Sequence, residues 1–178
     1  ISAALVALAV AAAGAGWFAW RSGEAENDAG RRRITSGDVV MLGDSITALG
    51  DWATLLRGRP IANAGRPGYT TAQLVPIAAE VVAARPRAVF VLTGTNDIRD
   101  ALPPDWTAEQ LRLLLDALAA SPDTAVVIQT VLPRADAVEQ VRATNAAIAA
   151  VAAERGIELL DLYQSFDDGR GGLRSGDT

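Results

Sequence analysis

The chain has 178 residues, half of them hydrophobic but only 5% aromatic, so its core is drawn from Ala, Val, Leu and Ile and is large enough for one domain. A net charge of −5 gives no basic field for nucleic acid, and the absence of Cys removes disulfides and thiolate chemistry. There is also no His, which removes the commonest general base and the usual zinc ligand sets, leaving only a carboxylate Mg²⁺ or Ca²⁺ site as a metal option.

Residues 1–20 are uncharged and almost wholly apolar, and as a helix would reach about 30 Å, the thickness of a bilayer core. Trp17, Phe18 and Trp20 gather at one end, where aromatic rings favour a membrane interface. The segment therefore reads as a transmembrane anchor. A signal peptide is the alternative, since Ala13-Gly14-Ala15 resembles a small-residue cleavage site. Arg21 and Arg31-Arg32-Arg33 follow it and favour a cytoplasmic domain by the positive-inside rule. Residues 21–36 read as a linker, and residues 37–178 as the folded domain.

From Gly37 onward, strands alternate with helices. The expected strands are Val39–Leu42, Ile61–Asn63, Ala88–Leu92, Ala125–Gln129 and Ile157–Leu162. The expected helices are Trp52–Leu56, Thr71–Ala84, Ala108–Ala120 and Ala137–Glu154, with a capping box at Thr107 and Gln110 and a stop at Gly156. Such alternation predicts an α/β fold: a three-layer α/β/α sandwich around a five-stranded parallel sheet of flavodoxin-like type.

Three strand ends carry unusual chemistry: Gly43-Asp44-Ser45, then Asn63-Ala64-Gly65-Arg66-Pro67-Gly68-Tyr69-Thr70, then Gly94-Thr95-Asn96-Asp97. Each has a structural explanation taken singly. Ser45 and Thr70 are acceptable N-caps, Gly65 and Gly68 permit positive φ, and Asn96 or Asp97 closes an Asx-turn. Ligands of open α/β sheets bind beyond the carboxyl ends of the strands, however. A hydroxyl, a glycine N–H and an amide NH₂ would meet there, which is what acyl transfer needs: a nucleophile and donors aimed where an oxyanion develops.

These stretches resemble the first three sequence blocks of the SGNH/GDSL hydrolases, a family of serine esterases and lipases, over roughly Val39 to Tyr163. The resemblance implies Ser45 as nucleophile, with Gly68 N–H, Asn96 NH₂ and the Ser45 N–H as oxyanion donors. It implies no cofactor or metal, a small-molecule acyl ester as substrate, a short acyl group, and no nucleic-acid partner. A monomer is expected, membrane-anchored through residues 1–20 or secreted, with the domain outside the cytoplasm as in many relatives, against the side that the arginines favour. The family's fourth element, an Asp-x-x-His carrying the general base, is not matched. The chain opens on Ile1 and closes at Thr178 soon after the approach to that element, which reads as a fragment. As written, it is expected to be a poor catalyst. The competing expectations are a non-catalytic flavodoxin-like binding domain tethered to a membrane, with Thr47 or Thr95 near its ligand, and a Mg²⁺-dependent phosphatase using Asp44 and Asp97. Asp44 is expected to hold loop N–H groups rather than transfer protons, and Trp52 to belong to the core.

Overall fold

The computed structural model describes residues 33–56, 59 and 61–174; the apolar segment 1–20 and most of the linker lie outside them. Five strands form one sheet: β1 (Val39–Gly43), β2 (Ile61–Gly65), β3 (Ala88–Leu92), β4 (Ala125–Gln129) and β5 (Glu158–Leu160). All neighbours are parallel, in the order β2-β1-β3-β4-β5. The helices are α1 (Ser45–Leu49), α2 (Trp52–Leu55), α3 (Thr71–Ala83), α4 (Thr95–Arg99), α5 (Pro104–Leu118), α6 (Val138–Arg155) and α7 (Leu162–Phe166).

The continuous apolar runs of β1 and β3 are explained by burial on both faces. Val40 and Leu42 of β1 and Val89 and Val91 of β3 point into a cluster completed by Leu74, Leu111, Leu114, Val141 and Ile148 from α3, α5 and α6. Met41, Phe90 and Leu92 point the other way, onto Trp52, Leu56, Leu162 and Phe166 from the α2 and α7 regions. The three-layer sandwich expected from the sequence is thus the observed architecture, with the long helices on one face and short ones on the other. Trp52 is buried, and its indole Nε1–H donates to the Thr47 carbonyl at 2.8 Å.

Local signals diverge from expectation where tertiary partners intervene. Helix α5 begins at Pro104, whose missing N–H is no loss in a first turn. The expected capping box at Thr107 and Gln110 does not form. Thr107 lies inside the helix, buried, and its hydroxyl donates to Asp97 Oδ1 at 3.3 Å. Gln73 instead closes the start of α3, its Oε1 accepting from Thr70 N–H at 2.9 Å and Thr70 Oγ1 at 3.2 Å. The fifth strand stops at Leu160 because Asp161 caps α7, its Oδ1 accepting from Gln164 N–H at 3.0 Å.

The strand order places the site. From β1 the chain moves outward to β2, then returns across β1 to β3, so the ends of β1 and β3 flank the topological switch point where α/β sheets hold ligands. Ser45 follows β1 and Asn96 follows β3.

Candidate active site

At the end of β1 the sequence places Asp before Ser, and their roles are divided accordingly. Asp44, not Ser45, is the N-cap of α1: its Oδ1 accepts from Ile46 N–H at 2.9 Å. The capping role available to Ser45 is therefore taken. Ser45 is the first helical residue, half-buried, and its hydroxyl makes no hydrogen bond among the described residues. As a first-turn residue its own N–H has no intrahelical acceptor either. Gly43, one step back, has no room for a side chain, because a Cβ would strike Thr47 Oγ1 and the Leu92 carbonyl oxygen. The turn carrying Ser45 is thereby held tightly against β3.

The second segment leaves β2 at Gly65, whose absent Cβ lets it lie directly on the Ala48 backbone of α1. Asn63 reinforces this contact, donating from Nδ2 to the Ala48 carbonyl at 3.0 Å and accepting from Gly65 N–H at 2.9 Å. Arg66 N–H donates to the Gly43 carbonyl at 2.7 Å, which ties the start of the loop to the end of β1. Gly68 then adopts φ +79°, a left-handed conformation that favours glycine, and its N–H has no hydrogen-bond partner among the described residues.

On the third segment, Asn96 sits in the first turn of α4 with 6% of its surface exposed. Its Nδ2 donates to the Tyr69 carbonyl at 2.8 Å, while its Oδ1 accepts from Arg99 Nη1 at 2.7 Å. The amide therefore has its oxygen fixed by a cation and one N–H fixed by a carbonyl, and its other N–H is left over. Asp97, fully buried, accepts from the Thr71 N–H at 3.0 Å and from Thr107, so it joins α4 to the starts of α3 and α5. Thr71 Oγ1 and Thr93 Oγ1 share a further hydrogen bond of 2.9 Å beneath it. The structure thus brings the Gly68–Tyr69 loop and Asn96 into direct contact, with Ser45 on the adjoining strand end.

The two acids named from the sequence serve the local structure. Asp97 accepts through both oxygens and Asp44 through Oδ1, and among the described residues no group of three or more His, Cys, Asp or Glu is placed to hold a metal ion. Thr47 is buried beneath the Ser45 turn and packs against Gly43. The residue that sequence reasoning missed is Arg99. Its signal was the spacing Asn96-x-x-Arg99, which puts the two side chains on one face only if the segment is helical.

Asp44 also has a pH signature. Burial, with help from the nearby Asp97 carboxylate, pushes its pKa from 3.8 up to about 7, against the opposing Ile46 N–H and the more distant Arg99. Its Oδ2 is buried without a hydrogen-bond partner. The folded state then holds a proton that the unfolded chain releases near pH 4, so stability falls as pH rises from about 4 to about 7 and is flat in this respect above. The full loss is on the order of 4 kcal/mol. Asp44→Asn retains an oxygen to cap Ile46 and stays neutral throughout, so it is expected to flatten that fall. Urea melts at half-unit pH steps check this, and an unchanged slope in the variant would assign the titration elsewhere.

With the geometry in place, comparison with known proteins gives the class. Residues 41–178 match the GDSL-like lipase/acylhydrolase family, and the chain belongs to it. It is a hydrolase of the esterase and lipase type. Solved structures share the fold. A protein from Bacteroides fragilis described as an acylhydrolase aligns with a TM-score of 0.70 at 24% identity, over 82% of this chain and 80% of its own. A GDSL-like lipase from Bacteroides thetaiotaomicron gives 0.69 at 23% identity, over 93% and 85%. AlinE4, an SGNH-hydrolase family esterase, gives 0.61 at 18% identity, over 81% and 86%. No curated protein matches the chain.

Proposed function

We propose that the protein is a serine ester hydrolase that cleaves short-chain acyl esters through an acyl-enzyme on Ser45. The observation that carries this reading is the division of labour at the end of β1: Asp44 caps the helix, and the Ser45 hydroxyl is left uncommitted after a strand that adjoins both β2 and β3, the strands that lead to Gly68 and Asn96 with their spare N–H groups. A general base removes the Ser45 Oγ proton as the oxygen attacks the ester carbonyl. The tetrahedral oxyanion is met by the N–H groups of Ser45 and Gly68 and by the free N–H of Asn96. Collapse expels the alcohol with the proton from the base, and water then releases the acid by the same steps in reverse order. The base is the one part that these 178 residues do not supply as an imidazole. In the family the base is the His of an Asp-x-x-His, an element that these residues do not match.

The missing imidazole is the observation that favours a second reading, a non-catalytic ligand-binding domain on the same sheet. A fluorophosphonate probe applied to the full-length protein separates the two. A covalent adduct confined to the peptide containing Ser45 is the expected result. No adduct under conditions that label a known serine esterase would favour the binding domain.

A further inference from the structure

The oxyanion donor on α4 is not held by the backbone alone. Asn96 is a flexible side chain whose amide works as a donor only if its nitrogen, not its oxygen, faces the site. Two contacts decide that orientation. Tyr69 presents a carbonyl oxygen, which can only accept, and Arg99 presents Nη1–H, which can only donate. A flipped amide would set oxygen against oxygen at Tyr69 and N–H against N–H at Arg99. Arg99 itself is fixed from its opposite edge by Asp100, through Nε at 2.7 Å and Nη2 at 3.0 Å, which leaves Nη1 aimed at Asn96. Its Nη2 also lies 3.4 Å from the carbonyl oxygen of Gly68, the residue whose N–H is the second donor. One guanidinium therefore touches both segments that line the oxyanion position.

We infer that Arg99 is a positioning residue for ester hydrolysis, locking the Asn96 amide and steadying the Gly68 loop so that their N–H groups meet the oxyanion. This rests on the oxyanion role proposed above for Asn96. Withdrawal of electron density from Oδ1 by the cation also makes the Asn96 N–H a stronger donor. The guanidinium is half exposed, and its pair with Asp100 lies in solvent, where such pairs add little to stability. Its value is then in the orientation of Asn96, not in holding the fold.

The test is a double-mutant cycle on the full-length protein with p-nitrophenyl acetate. N96A is expected to lower kcat by ~10²–10³, the usual effect of one lost oxyanion donor. R99M is expected to lower kcat about tenfold, the scale of one lost charge-assisted hydrogen bond, with KM and melting temperature close to wild type. The doubly substituted protein should match N96A alone, because Arg99 acts through a side chain that is already gone. R99K should fall between R99M and wild type, since an ammonium supplies one donor without the planar fork. If R99M does not fold, R99K carries the same comparison. Wild-type kcat in the Arg99 variant, or losses that multiply in the double mutant, would overturn the inference. The underlying reading fails separately, by wild-type turnover in N96A and in a Ser45 variant together.

Discussion

Ser45→Ala is expected to abolish acyl-enzyme formation and to remove nearly all ester turnover from the full-length protein, a loss on the order of 10⁶-fold where a serine nucleophile acts with its base. The size follows from chemistry, not from packing. The Ser45 hydroxyl has no hydrogen bond among the described residues and is half-buried, so its removal leaves no partner unsatisfied. The cap of α1 belongs to Asp44 and survives the change. The variant should therefore melt within about 0.5 kcal/mol of wild type while losing its chemistry. Stopped-flow detection of a p-nitrophenol burst, beside a thermal melt, checks both halves. A burst that persists in Ser45→Ala would place the nucleophile on another side chain.

The second large effect concerns the base. A serine hydroxyl is a weak nucleophile near neutral pH without an adjacent base, and the 178 residues contain no His. Asp44, whose pKa is raised by burial, is already engaged with Ile46 N–H. The 178-residue chain is thus expected to show only the catalysis an oxyanion site gives without its base, roughly 10³–10⁴-fold over water. A version extended through the expected Asp-x-x-His should turn over a short-chain aryl ester faster by a factor on the order of 10⁶, because nucleophile and base act as a unit. Turnover confined to the extended version places the histidine beyond Thr178. Equal, substantial turnover by both would turn attention to the carboxylates within the chain.

Much of this architecture was legible because its signals are local and repeated. Val39-Val40-Met41-Leu42 and Val89-Phe90-Val91-Leu92 can hardly be anything but strands buried on both faces, and the observed β1 and β3 contain them. The glycines at 43, 65 and 68 marked the strand ends, although for different reasons: only Gly68 has positive φ, whereas Gly43 and Gly65 are there for close approach. What the sequence hid were the short helices α1, α4 and α7, each of five residues and too brief to show a helical period. Missing α4 meant missing that Asn96 and Arg99 share a face. Thr107 misled for a related reason. Its spacing to Gln110 fits a capping box, but a buried carboxylate from another segment claims the hydroxyl, and no local pattern reports a partner ten residues away.

Asp97 has a consequence for how the site responds to thermal motion. Loops that carry function usually sit at the low end of a protein's local stability and open without the rest of the fold. Here the carboxylate beneath the site is wholly buried and binds the first N–H of α3 and a hydroxyl of α5, two helices of the main core. To peel the Asn96 turn away from the Tyr69 loop would leave that carboxyl group buried with both of its hydrogen bonds broken. The Asn96 turn is consequently tied to the same cooperative unit as the core. The turn is therefore expected to exchange its amide protons no faster than α3 and α5, which native-state hydrogen exchange would measure.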